Sequence, residues 1–399
     1  MGILRLRLSR AGMRGQGDAV AFQADDGVTV GIEEEFLLLD EATGLPAPRS
    51  AEVLGRAQLT RGALHAELMQ TQVEVASGVC RTLSEVGSQV CEARTALTAT
   101  AAELGMRLAA CGVPVIEGGA AAGSVGPRFA EIFERFGPVF SDYQVSGCHV
   151  HVGVGDRDTA VAVLNHVSPW LPTLLALSAN SAVRYGRDHR QASLRVLEQA
   201  RLPGFGLPPW FASAADHDRQ VDRLVDLGVL VDDRMTFWLV RPSAHLPTVE
   251  LRAADTVVEP WEAVLQVALS RALVRTALTE LAAGREGPRL DPQVAAASVW
   301  AAARHGLTGP AIDPVRATPS TGRRRVGDLL DRVGPALEEM GDLAFTTAAV
   351  DVLVRAGSGA DRQRAALRAG GVDRVVDCVV AGLEDPIAAV TRLGAAVST

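Results

Sequence analysis

Gly31-Ile32-Glu33-Glu34-Glu35-Phe36 lies within a stretch, Val28 to Leu39, that alternates as a β-strand. Successive side chains on a strand point to opposite faces, so Glu33 and Glu35 share one face while Glu34 lies with Ile32, Phe36 and Leu38. The same division recurs in Gln72-Val73-Glu74-Val75, where Glu74 faces away from both valines. In Thr248-Val249-Glu250-Leu251-Arg252, Glu250 and Arg252 face away from Val249 and Leu251. A fourth stretch, Gly147-Cys148-His149-Val150-His151-Val152-Gly153, puts both histidines on one face and Cys148, Val150 and Val152 on the other.

If these strands share one sheet, their polar faces converge. Four or five carboxylates with histidine and arginine would repel and desolvate one another unless cations neutralised them, which implies bound divalent metal. Oxygen-rich ligation favours magnesium or manganese over zinc. Taken singly, each feature is weaker: an acidic pair on a strand is more often a solvated face, and Glu250 with Arg252 reads as an ion pair. A lone His-x-His is as often a satisfied polar pair as a metal site. It is the convergence that points to chemistry.

The rest of the chain sets the fold class. Pro114 to Glu117 and Thr236 to Val240 also read as strands, and Ser84 to Ala110 as a long Ala-rich helix. Leu164 to Ser178 reads as helical, with Pro169 and Pro172 expected to break or kink it. From Trp261 the spacing is helical through Ala283, then over Val294 to Arg304, Gly327 to Met340 and Ala366 to Leu393. A helical layer should therefore cover one face of an N-terminal sheet, an α+β arrangement and not a doubly wound one. The division expected is a flexible tail over 1–26 and a single catalytic domain over 27–399, sheet-rich to 256 and helical from 257.

Composition narrows the function. The net charge is −8 and no basic block is interleaved with aromatics, so nucleic acid is not the expected partner. No run of about 18 apolar residues and no signal-peptide pattern is present, so the cytoplasm is expected, with no membrane partner. The Arg- and Gly-rich Met1 to Gln23 reads as a mobile tail or a misassigned start with Met13 as initiator, and Leu6 stands where myristoylation needs Ser or Thr. Five scattered cysteines, Cys80, Cys91, Cys111, Cys148 and Cys378, predict buried reduced thiols and no disulfide framework. All 39 cationic Lys and Arg positions are arginine, which excludes a Schiff-base lysine and the lysine of a P-loop. Small molecules are the expected partners, and a homo-oligomer is compatible with the sequence.

Four segments in order, Gly31 to Phe36, Glu67-Leu68-Met69-Gln70-Thr71-Gln72-Val73-Glu74-Val75, Gly147 to Gly153 and Thr248 to Arg252, resemble the successive motifs of the type 2 glutamate-cysteine ligase family. The resemblance runs from about Val28 to Gly357-Ser358-Gly359-Ala360-Asp361-Arg362-Gln363-Arg364. It implies a glutamine-synthetase-like fold, a curved antiparallel sheet with helices on its outer face and ATP and magnesium on its concave side. By motif position, it implies Glu33, Glu35, Glu67, Glu74 and Glu250 as metal ligands, with His149 or His151 completing a site. Arg252 would contact the transferring phosphoryl group, with Glu33 as its catalytic counterpart and Glu250 beside the nucleotide. The implied reaction converts an acid to an acyl phosphate, which an amine attacks to form an amide.

Some positions depart from the family pattern. Asn180-Ser181 continues as Ala182-Val183-Arg184, where the family usually has Pro-Phe-Trp. Gln191 to Arg195 replaces a Tyr-Ala-Ser-Tyr-Arg run, and Leu202 stands where a Trp usually precedes the proline. Loss of aromatics predicts a reshaped pocket and a changed acid or amine. Arg195 and Arg201 occupy family arginine positions and Arg241 precedes Pro242 as expected, so a substrate carboxylate could pair with one of them. For Arg201, balancing nearby acids is an equal reading. Arg362, Arg364 and Arg368 read as a solvated helix face. Two alternatives to the ligase are a zinc hydrolase using His149, His151 and Glu250, and a silent ligase homologue.

Overall fold

The computed structural model describes residues 26–118 and 121–395. The tail expected over 1–26 lies outside the described residues up to position 25, while Asp26 is buried and accepts from the Gly155 amide at 2.8 Å.

β1 (Val30–Asp40) is the alternating stretch that carries Glu33, Glu34 and Glu35. After α1 (Ser50–Arg56) come β2 (Ala63–Ala66) and β3 (Gln72–Ala76), and β3 pairs antiparallel with both β2 and β1. α2 (Leu83–Glu103) starts at a capping box, in which the Thr82 hydroxyl accepts from the Glu85 amide and the Glu85 carboxylate accepts from the Thr82 amide. The helix expected to reach Ala110 ends earlier: Gly105 turns the chain at φ 71°, and β4 (Met106–Ala109) pairs with β1. Burial of Met106 and Leu108 on the sheet outweighs the helix propensity of these residues. Pro114 to Glu117, expected as a strand, is a loop; Pro114 offers no ladder donor and Val115 packs into a side core.

α3 (Pro127–Phe140) precedes β5 (Gly147–Gly153). α4 (Arg157–Val167) and α5 (Leu171–Ser178) are separated by one 3₁₀ turn, Ser168–Trp170. Pro169 and Pro172 stand second in the turn and in α5, among the first N–H groups that have no intrahelical partner, so a missing N–H is tolerated. Arg157–Ser178 is nevertheless long and apolar enough to span a membrane by composition, an apolar run that the sequence reading had not counted; 89% of its most apolar window is buried inside the fold. A short hairpin, β6 (Val183–Arg184) and β7 (Arg187–Asp188), leads to α6 (Leu194–Gln199) and α7 (Ala214–Asp226). The strand expected from Thr236 starts only at Val240, because Asp233–Met235 is a 3₁₀ turn; β8 (Val240–Pro242) then pairs with β9 (Thr248–Asp255).

The helical half holds α8 (Pro260–Ala282), α9 (Pro292–His305), an unforeseen hairpin of β10 (Pro310–Asp313) and β11 (Thr318–Thr321), then α10 (Gly322–Glu339) and α11 (Leu343–Ala356). The helix expected over 366–393 is two, α12 (Gly359–Cys378) and α13 (Pro386–Ala395), and α12 itself kinks at Gly370 and Gly371. Arg362 of α12 is not solvated: its Nη2 donates to both Glu262 carboxylate oxygens at 2.9 and 2.7 Å, and Arg364 pairs with Asp188 at 3.2 Å, leaving Arg368 as the exposed member.

The main sheet has seven strands, all antiparallel, in the order β2-β3-β1-β5-β9-β8, with β4 also on β1. Its apolar face, with Ile32, Val150, Val152, Val249 and Leu251, joins α4, α5 and α8 in one core. Phe36, Leu38, Val73 and Val75 pack with α2 in a second. The covering layer thus draws on helices from both halves of the chain. Glu34 is an acid on this apolar face, and Arg94 of α2 meets it at 3.1 and 2.5 Å. The same guanidinium donates to the carbonyls of Val257, Val258 and Gly382, so both charges are buried but fully hydrogen-bonded.

Candidate active site on the polar face of the sheet

Register places the acids beside one another. Glu35 stands opposite Glu74, Glu33 opposite His149, His151 opposite Glu250, and Glu250 opposite Arg241. Between Cys148 and Val150 the pairing with β9 slips by one residue, so Arg252 and Ala253 together face His149. This bulge brings the Arg252 guanidinium 3.4 Å from His149 Nδ1 and onto Glu250. Glu67 joins from the position after β2.

The ligand atoms fall into two groups, Glu33 with His149 and Glu250, and Glu35 with Glu67 and Glu74, each within 4.8 Å. His149 Nδ1 is 3.3 Å from Glu33 and 3.9 Å from Glu250, while its Nε2 is 3.6 Å from Glu35. It therefore sits between the groups. His151 Nε2 approaches Glu33 Oε1 at 3.1 Å without hydrogen-bond alignment, and its Nδ1 meets Thr248 Oγ1 at 2.9 Å.

The two groups differ electrically. Burial raises the Glu250 carboxyl, but Arg241 and Arg252 outweigh it and hold the group well below the usual range. Burial likewise opposes ionisation of Glu33, and the hydrogen bond with His149 together with the close approach of His151 overrides it. In the second group no arginine forks onto a carboxylate. Burial and then Glu67 push Glu35 up to about 8, although Arg195 and the Gly147 amide, donating at 2.6 Å, favour its charge. Glu74 is raised well above its ordinary value by burial, then by Glu67, Glu33 and Glu35. Such a set of oxygens, with no guanidinium hydrogen-bonded to it, suits a hard divalent ion.

Without a bound cation, the protein should lose stability as pH rises above neutrality. Glu35 has a folded pKa of about 8 against 4.5 ordinarily, so the stability it gives is complete below 4.5 and lost as pH rises through 8. Glu74 and His151, both raised, act in the same sense. Glu33 and Glu250, held low, act only below 4.5, and His149, pushed by burial and Arg252 to about 4, stops contributing slope above 6.5. The melting temperature in a chelator should therefore fall between pH 6.5 and 8, and magnesium should flatten the fall. A flat profile in chelator would contradict the electrostatic picture of this group.

Both groups line a cavity of 530 Å³ that also takes in Arg241, Arg252, His65, Tyr143 and Gln199. Arg241 forks onto Glu250 at 2.7 and 3.2 Å and donates to the Arg234 carbonyl at 2.6 Å. Arg195 is 1% exposed and does not reach the wall: it donates to the Arg252 carbonyl at 3.3 Å and lies 3.5 Å from His149 Nε2. A side chain at Gly147 would strike its guanidinium, so that glycine is what admits it. Arg201 also lies off the wall, paired with Asp142 at 2.9 Å and with Glu198. Of the positions that depart from the family pattern, Ala182, Leu194 and Leu202 are buried in side cores and do not line the cavity. A second cavity, 460 Å³, lies across α6 and is lined by no titratable side chain.

Sequence reading missed several wall residues. Arg128 stands in the first turn of α3 and Arg234 in the 3₁₀ turn before β8, and both reach Asp232. Tyr143 packs edge-on against Phe140 at 4.9 Å. None lies on an alternating strand, and only the tertiary fold brings them to the site. All five cysteines are free thiols; Cys80, Cys111 and Cys148 are buried, and Cys91 and Cys378 half-buried.

Comparison with known proteins adds a second line of observation. The family described as glutamate-cysteine ligase family 2 matches residues 29–378. A Saccharopolyspora erythraea protein named as a glutamate-cysteine ligase 2-2 is 54% identical over 360 residues, covering 89% of this chain and 92% of the relative. A Nocardia farcinica protein named as a glutamate-cysteine ligase 2-1 is 40% identical over 358 residues, covering 90% and 93%. Among solved structures, glutamate-cysteine ligase from Francisella tularensis in complex with AMP aligns with a TM-score of 0.62 at 13% identity, over 93% of this chain and 92% of that one. A bifunctional glutathione synthetase from Pasteurella multocida aligns with a TM-score of 0.55 at 13% identity, over 92% and 52%. These two share the α+β fold with its antiparallel sheet.

Proposed function

The chain belongs to glutamate-cysteine ligase family 2, and we propose that it uses ATP to join a carboxylic acid to an amine at the polar face of its sheet. The observation that carries the site assignment is the pair of ligand groups at the floor of one cavity, one compensated by arginine and the other not.

Glu35, Glu67 and Glu74 would hold one divalent cation, and Glu33, Glu250 and His149 a second. Magnesium, or manganese, bound there would place positive charge on the phosphate oxygens of ATP. The acid substrate's oxygen attacks the γ-phosphorus, ADP leaves, and the acyl phosphate then loses phosphate to the attacking amine. Charge spreads over the equatorial oxygens in the transfer, and Arg252 is the guanidinium placed to meet it. Arg241 remains forked on Glu250 and so keeps that carboxylate oriented when Arg252 turns to phosphate. Arg195 acts by position, bracing the Arg252 backbone and His149 from below. No lysine or enzyme nucleophile is needed, in keeping with the composition.

A zinc site on His149, His151 and Glu250 is not favoured. His151 falls outside the ligand group containing His149, and four carboxylates would be left without a role.

The test is magnesium-dependent ADP release across a panel of acids and amines, with glutamate plus cysteine as the reference pair. Release that requires both an acid and an amine is the expected result. Binding of nucleotide without release for any pair would leave a silent homologue, and tight zinc without nucleotide dependence would reinstate the hydrolase.

A further inference from the structure

We infer that Arg128 and Arg234 form a carboxylate subsite on the cavity wall, holding the non-reacting carboxylate of a substrate while another group reacts over Glu33 and Glu35. The inference rests on the ligase reading for its chemistry and on the cavity wall for its geometry.

Four arginines line the cavity, and their charges are unequally committed. Arg241 and Arg252 are both on Glu250, within the acidic floor. Arg128 forks onto Asp232 at 2.6 and 3.1 Å, and Arg234 touches the same carboxylate through one nitrogen at 3.4 Å. Two guanidiniums thus share one acid, leaving one positive charge over. Arg234 keeps 48% of its side chain exposed and spends one contact of its five N–H donors.

The surroundings suit an amino-acid backbone. Phe129 and Met235, each next in sequence to one of the arginines, also line the cavity and offer apolar walls to methylenes. Of the arginines that match the family pattern, Arg195 and Arg201 do not line it, and Arg241 is held by Glu250. A molecule with carboxylates at both ends could therefore place one over the acidic floor with its cations and the other on Arg128 and Arg234. The carboxylate could belong to the acid or to the amine substrate, and matched substrates separate the two.

The experiment compares wild type with Arg128→Gln, Arg234→Gln and the double variant, measuring KM for L-glutamate, 4-aminobutyrate, cysteine, cysteamine and ATP. If the acid's carboxylate is held, the double variant raises KM for L-glutamate by about 10- to 100-fold and erases its preference over 4-aminobutyrate, with KM for ATP unchanged. If the amine's is held, it is the preference for cysteine over cysteamine that collapses. Asp232→Asn frees both guanidiniums and should lower KM for that substrate; a rise matching the arginine variants would make the three residues a structural brace and overturn the subsite. Survival of both preferences, or a rise confined to ATP, also overturns it. Calorimetric titration with L-glutamate and 4-aminobutyrate, and with cysteine and cysteamine, decides the matter without turnover. Equal affinity of wild type within both pairs overturns the subsite whether or not ADP is released, whereas absence of ADP release with every pair counts against the ligase reading alone.

Discussion

Glu33→Gln should cut magnesium-dependent ADP release by about 100- to 1000-fold or more, the scale of losing one preorganised charge-stabilising group. Glu33 meets both histidines, His149 at 3.3 Å and His151 at 3.1 Å, and its carboxylate stays ionised because they outweigh its burial. Glutamine keeps the shape and a hydrogen-bonding oxygen while removing the charge, so the protein should still fold. Steady-state ADP release and a denaturation curve on the same preparation check both halves. Undiminished turnover would remove Glu33 from the ligand set, and loss of the fold would make it a structural residue.

The largest effect on stability is expected on the other face of the same strand. Arg94→Met should cost about 3–5 kcal/mol, because it leaves Glu34 buried without its partner and strips donors from three carbonyls. Adding Glu34→Leu should recover part of that loss, since two apolar side chains are cheaper to bury than one orphaned charge. Urea midpoints for the two single variants and the double variant give the coupling between the residues. A loss under about 1 kcal/mol for Arg94→Met would show that water or local rearrangement reaches Glu34.

Legibility followed the periodicity. Glu33, Glu35, Glu74, His149, His151, Glu250 and Arg252 were legible because the two-residue period of a strand assigns each to a face without knowledge of its neighbours. Cross-strand partners were not, since register depends on pairing between segments far apart in sequence. Met106–Ala109 was misread as helix because its propensity is helical and only the edge of β1 makes it a strand. Motif position offers Arg195 and Arg201 as partners for a substrate carboxylate, but exposure to a cavity is a property of packing that motifs do not carry, and neither residue lines this one. Arg128 and Arg234 were invisible for the opposite reason, having no pattern around them and acquiring a site only from α3 and the turn before β8.

The central place of β1 also has a kinetic consequence. It pairs with β3, β4 and β5, and the acidic floor closes only when β9, about two hundred residues later, is seated on β5. Pairing over such separations is slow to form, because loop entropy is paid before any contact rewards it. A growing chain can bury much of β1 early, yet it has no complete acidic floor until Asp255 has been synthesised. Refolding in the presence of magnesium should therefore change two phases, an early one in which Glu35, Glu67 and Glu74 come together on β1 and β3, and the last, in which β9 docks and brings Glu250 to Glu33 and His149.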